Sequence, residues 1–186
     1  MYIYKFRLLF DEVEDFVRDY EISAGQTFKE FHDIIVRTIT GLGKQELASF
    51  YICDRRWEKK IEITLIDMDT DEDINASDEE NISKMIMSDS VLSDFIDDPH
   101  QRLIYEYDFF NVKTFYIELL KTTEVKTRKK YPRCIHHAGE IPTSMFNLSP
   151  ESLNLLDIED DSLEDEEIKD YYDEEDIQSL NEDIEI

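Results

Sequence analysis

Two clusters of side chains in this 186-residue chain have the types and spacing to bind metal. Cys134, His136 and His137 lie within four residues of one another and, with Cys53, offer thiolate and imidazole donors of the kind that hold zinc. A structural zinc site pairs its ligands two to four residues apart, and neighbours such as His136 and His137 rarely aim at one ion. The plainer reading is a loop thiol beside solvent-facing histidines. Asp67, Asp69, Asp71, Asp73, Asn75 and Asp78 put oxygen atoms at positions 1, 3, 5, 7, 9 and 12 of an EF-hand-like calcium loop, with Ile74 at the apolar eighth. Glu72 stands at the sixth position, where the sharp turn needs Gly, and Asp78 is shorter than the bidentate Glu that closes such loops. With 46 Asp and Glu in the chain, such a match arises by composition, and an acidic solvated loop is the ordinary reading.

Catalytic constellations are scarcer. His32 beside Asp33 has the composition of an oriented base, but neighbours on a helix point about 100° apart, so the spacing does not pair them. Asp108 is an acid inside the apolar hairpin, between Tyr107 and Phe109, where pairing with Arg102, Lys113 or a turn amide is its expected structural role. The chain has no G-x-S-x-G elbow, no phosphate loop and no G-x-G-x-x-G, and its four glycines leave little to cradle phosphates. No catalytic residue and no cofactor are expected. One candidate contact for a protein partner remains: Arg55, Arg56 and Trp57 form a locally basic connection holding the sole Trp, against the base-rate reading of an aromatic capping a core edge.

The elements that must position these residues are legible from periodicity. Arg102 to Lys121 reads as two apolar strands about a tight turn, with Leu103, Tyr105, Tyr107 and Phe109 on one face and Phe115, Ile117 and Leu119 matching them. Tyr2 to Phe10 and Phe16 to Ile22 read as a hairpin, and Leu47 to Cys53 and Lys60 to Ile66 as two more strands. Thr27 and Glu30 have capping-box spacing ahead of the apolar stripe Phe28, Phe31, Ile34, Ile35 and Ile39, so a helix packs here, ended by Gly41-Leu42-Gly43. Asp67 to Asp89 reads as a long loop, Ser90 to Asp98 as a short helix, and Tyr131 onward as a loop. The expected fold class is α+β: a mixed or antiparallel sheet of about six strands with one long packed helix, in the order ββαββ, short helix, ββ, comparable by analogy to a β-grasp.

Charge divides the chain. Residues 151–186 carry 17 Asp and Glu against Lys169, net −16 of the formal −26, whereas the other 150 residues hold 29 acids and 19 bases. A domain of residues 1–146 and an acidic tail of residues 147–186 are therefore expected, the tail disordered because alternating acids and hydrophobes cannot bury a core. This balance excludes affinity built on neutralising phosphates, so nucleic acid is not expected as a direct ligand. Two cysteines make no disulfide framework, the N-terminal segment lacks the apolar run of a secretory signal, and nothing approaches the ~20 apolar residues of a membrane span. A cytoplasmic protein away from membranes is the expectation.

Order and spacing together carry a resemblance. The first hairpin, Thr27-Phe28-x-x-Phe31-His32 opening a helix, Leu47-x-x-Phe50, Leu103-x-Tyr105-x-Tyr107-Asp108-Phe109, and Tyr131-Pro132-x-Cys134 followed by Gly139 and Pro142 resemble the plasmid pRiA4b ORF-3-like family over about residues 2–146. The acidic C-terminus, Phe50 to Asp54 and Trp57 to Lys60 resemble its Bacteroidetes branch. The chain departs from the family pattern with Phe16-Val17-Arg18 in place of Trp-Arg-Arg, and with Phe110 and Asn111 in place of Gly-Asp. The resemblance implies an α+β domain of uncharacterised function. The residues themselves favour a non-enzymatic protein-interaction module, its partner a protein with a basic surface. A DNA mimic or inhibitor of a basic protein is the sharper alternative, and an enzyme or metal-binding protein the third.

Overall fold

The structure is a computed structural model that describes residues 1–43, 46–66, 83–109, 111–125 and 129–146. Among these described residues eight strands form one sheet: β1 (Tyr2–Leu9), β2 (Val17–Ser23), β3 (Ala48–Cys53), β4 (Lys59–Thr64), β5 (Ser83–Ile86), β6 (Arg102–Tyr107), β7 (Lys113–Glu124) and β8 (Arg133–Ala138). Their order across the sheet is β5-β4-β3-β6-β7-β1-β2-β8, antiparallel throughout except for the β4–β5 pair. The fold is α+β, with α1 (Phe28–Thr38) laid across one face.

Helix α1 forms where the cap and the stripe agree. The Thr27 hydroxyl accepts from the Glu30 amide at 3.3 Å while the Glu30 carboxylate accepts from the Thr27 amide at 2.8 Å, satisfying two donors that a helix start leaves orphaned. Phe31 then stacks on Phe6 and Phe50, ring centroids 5.2 Å away in both cases, and Phe28, Ile34 and Ile35 are buried beside it. Each such side chain contributes roughly 1.5–3 kcal/mol on leaving water. The helix ends earlier than the glycines would place it. Ile39 is already extended, and the Thr38 hydroxyl donates back to the Ile34 carbonyl at 2.7 Å; Gly41 takes up its left-handed φ of 97° two residues later, beneath the Phe146 ring.

Four expectations are corrected. Eight strands replace the expected six: β5 lies inside the stretch read as a loop, and β8 follows Tyr131, where a loop was expected. In β8 the alternation is broken by a bulge, since Tyr20 pairs with Cys134 and Asp19 with His136, leaving Ile135 unmatched. The short helix at 90–98 is one 3-10 turn, Leu92–Asp94, whose first amides bond Gln26 and Ala24 carbonyls. Phe109 does not share the inner face with Tyr107, because Asp108 adopts a φ of 62° that ends β6 and leaves Phe109 exposed. Among the described residues, no helix is long and apolar enough to cross a membrane.

Candidate functional site

Strand alternation gives the sheet two faces of different character. The face under α1 holds the main core, from Tyr4, Phe6 and Leu8 through Phe50, Tyr105 and Phe115. On the opposite face, where no described helix lies, a second apolar cluster of Tyr51, Cys53 and Ile104 packs against Trp57 and Tyr116. An antiparallel sheet with one solvated face normally alternates apolar inward and polar outward. Here the outward positions depart from that rule.

Register lines these positions into two rows across the strands. The first runs Tyr51, Ile104, Tyr116, Leu9, Val17 over β3, β6, β7, β1 and β2. One residue pair along the strands, the second runs Arg102, Glu118, Arg7, Asp19, His136 over β6, β7, β1, β2 and β8, alternating in charge. Arg7 donates to Asp19 through Nε at 2.7 Å and Nη2 at 2.9 Å, and Lys5 reaches the same carboxylate at 3.4 Å. Asp19 is 2% exposed, so Arg7 and Lys5 together neutralise a buried carboxylate that would otherwise be left uncompensated.

Trp57 closes one end of the apolar row. It sits in the β3–β4 turn with a φ of 66°, in a loop capped by the Asp54 carboxylate, whose Oδ1 accepts from the Arg56 amide at 2.8 Å and the Glu58 amide at 3.0 Å. Its indole meets Tyr116 edge to face at 5.2 Å between centroids, and the Arg102 guanidinium lies 4.9 Å from the indole centre, a cation–π contact. Beside it the Tyr51 hydroxyl donates to Glu62 at 2.9 Å, and Lys59 covers the Tyr51 ring while bonding Glu106 at 2.6 Å. Burial, reinforced by the two carboxylates, raises the Tyr51 pKa well above its ordinary value. Next to Tyr116 in the row, Leu9 is 43% exposed.

The residues singled out from the sequence are dispersed. Cys134 faces the core and its thiol donates to the His136 carbonyl, whereas His136 and His137 are exposed. Cys53 faces outward on β3, five strand spacings or about 24 Å from β8, so the four do not meet. Among the described residues, no three His, Cys, Asp or Glu are placed to hold a metal ion. Asp67, Asp69, Asp71, Asp73, Asn75, Asp78 and residues 147–186 lie outside the described residues. His32 lies in the core, 2% exposed, with Nδ1 3.0 Å from the Tyr105 hydroxyl, and burial lowers its pKa to about 4. Asp108 is half-buried and accepts from the Asn111 amide at 3.2 Å, the turn role expected of it. Of the basic connection, Trp57 joins the outer face, Arg55 pairs with Asp98 at 3.0 Å and Arg56 is exposed.

Sequence reasoning missed Leu9, Tyr116, Ile104 and Arg102 as one surface. The available signal was apolar residues in the outward phase of alternating strands, such as Leu9 between Leu8 and Phe10.

No curated protein matches the chain. Among solved structures, a protein of unknown function from Methanosarcina mazei Go1 is similar in fold, with a TM-score of 0.58 at 17% identity over 99% of this chain and 92% of that one. The profile of the plasmid pRiA4b ORF-3-like proteins matches residues 2–183, past the boundary at residue 146 to which the motifs reach, and the chain therefore belongs to that family.

Proposed function

We propose that the protein is a non-enzymatic interaction module whose recognition surface is the outer face of the sheet. The observation that carries this reading is the row Tyr51, Ile104, Tyr116, Leu9, Val17, an apolar stripe across five strands on the face away from α1, in which Leu9 is 43% exposed and Tyr116 and Val17 are half-buried while Tyr51 and Ile104 are covered by their neighbours. Trp57, which meets both Tyr116 in this row and Arg102 in the next, forms with them a group of the residue types that concentrate binding energy at interfaces. The 17 carboxylates of residues 151–186 add a handle for a partner with a basic surface, which sets the charge class of the partner. Two buried free thiols suit the reducing cytosol, where we place the protein.

The test is quantitative capture from a cell extract with the full chain and with Leu9→Glu. Leu9 is exposed, so the substitution leaves the core alone. Proteins held by the wild type and lost by an equally folded Leu9→Glu support the outer face as the surface. Identical sets with both overturn it.

A further inference from the structure

Resting on that reading of the outer face and its basic partner, we propose that the cluster around the Tyr51 ring is a cation subsite, taking an arginine side chain of the partner in the place that Lys59 now fills. Three strands build it. On β3, Ser49 and Tyr51 face outward, since the alternate residues Ala48, Phe50 and Ile52 belong to the inner core. Register sets Glu62 of β4 beside Tyr51 on one side and Glu106 of β6 beside Ser49 on the other. The Tyr51 hydroxyl donates to Glu62 at 2.9 Å, and both carboxylates act on the phenol to raise its pKa, so the two acids converge from opposite sides.

Lys59 shows which chemistry the site accepts. Its Nζ lies 3.7 Å from the centre of the Tyr51 ring and 2.6 Å from Glu106, a cation held on an aromatic face with a carboxylate beside it. The lysine starts β4 opposite Cys53 and reaches past Tyr51 to Glu106, which stands opposite Ser49, so it crosses the site as a strap. Lys59 and Glu106 are 32% and 20% exposed; water competes for such a pair, and the strap can lift.

Two features are left unanswered by the lysine. Its ammonium bonds Glu106, while half-buried Glu62 is met by the neutral phenol. Ser49 Oγ, fully buried beside Glu106, has no hydrogen-bond partner among the described residues, a costly state for a hydroxyl. A guanidinium answers both. It is planar and stacks on the ring, and its five N–H donors can serve two carboxylates and a hydroxyl that accepts as well as donates. The site shares its row with Ile104, Tyr116 and Leu9, so an arginine seated here brings the partner's surface onto exposed Leu9.

Titration of the isotope-labelled full chain with N-acetyl-arginine amide, followed by amide chemical shifts, tests the proposal, with circular dichroism confirming that each variant is folded. Saturable shifts are expected at Ser49, Tyr51, Glu62 and Glu106, and weaker binding with N-acetyl-lysine amide. Glu62→Gln and Glu106→Gln each weaken binding about fivefold or more. Lys59→Met removes the competing cation and strengthens binding about threefold or more, a direction that a purely structural lysine would not produce. Absence of shifts at these residues, or a Lys59→Met variant that binds no more tightly, overturns the subsite. If the Glu62→Gln, Glu106→Gln double variant still captures the proteins that Leu9→Glu loses, the subsite falls and the recognition surface stands. If the probe binds with the expected pattern while Leu9→Glu leaves capture unchanged, the recognition surface falls and the cation site stands.

Discussion

His32 Nδ1 lies 3.0 Å from the hydroxyl of Tyr105, joining α1 to the central strand β6 through a polar contact inside an apolar core. Both side chains are essentially buried, and burial is the main reason the imidazole pKa falls to about 4 while the phenol is pushed well above its usual value. The neutral pair bonds; a protonated His32 would be a charge in an apolar core.

Acid stability follows from this pair. The folded pKa of about 4 lies below the ordinary 6.5, so the unfolded chain takes up the proton first. The neutral histidine therefore carries no penalty above pH 6.5, and stability declines as pH falls from 6.5 toward 4, by about 3 kcal/mol in total. His32→Asn removes the titration while retaining a polar group for Tyr105. Urea melts of wild type and variant between these pH values are expected to diverge; parallel curves would contradict the assignment.

Trp57 is the sole tryptophan, so its emission reports the outer face directly. Tyr116→Ala removes the ring that the indole meets edge-on and is expected to shift emission to longer wavelength, with a stability loss of about 1 kcal/mol. Trp57→Gly should cost less than Trp57→Ala, because glycine relieves the left-handed backbone at this turn. A Gly variant less stable than the Ala variant would show that this strain is not felt.

Arg18 is a buried guanidinium held by carbonyls. Its Nη1 donates to Val17, Ala138 and Gly139 oxygens at 2.9, 2.7 and 2.9 Å, and Nη2 meets Glu140 at 3.3 Å. Arg18→Met leaves those carbonyls without the donor and frees the turn after β8. A loss of about 3 kcal/mol is expected, with limited proteolysis near Gly139 rising before the rest of the chain is cut. Unchanged cleavage would place the clasp elsewhere.

Both thiols should be silent in the native state. Burial pushes Cys53 up to about 11 and Cys134 up to about 12, and both lie out of contact with solvent. Modification by an aromatic disulfide reagent at pH 8 is expected to proceed at the rate of unfolding for Cys134. Rapid labelling of Cys134 in the folded chain would mean that β8 opens by itself.

The inner half of the molecule was readable from the sequence because local signals agreed there. Thr27 and Glu30 announced the start of α1, and Phe28, Phe31 and Ile35 announced the side that packs. β8 was hidden because its bulge at Ile135 breaks the alternation that identifies a strand, and β5 because four residues in an acidic stretch give no period. The outer face was hidden for a different reason. Its rows are assembled from registers such as Leu9 on Tyr116 and Arg102 on Glu118, and a single strand shows one member of each row at a time. Trp57 was noticed as an isolated aromatic, but its partner lies two strands away.

The position of β1 also has a consequence for biogenesis. Of the described strands β1 is made before the others, and it lies inside the finished sheet, with Phe6 beside Leu119 and Tyr2 beside Glu124. During synthesis β1 can pair with β2 almost at once, but its other edge waits until more than a hundred further residues have left the ribosome. Contacts so distant along the chain slow folding and lengthen exposure to other nascent chains. Lys5 and Arg7, placed at alternate positions on that waiting strand, supply the charges by which open strand edges resist pairing with strangers.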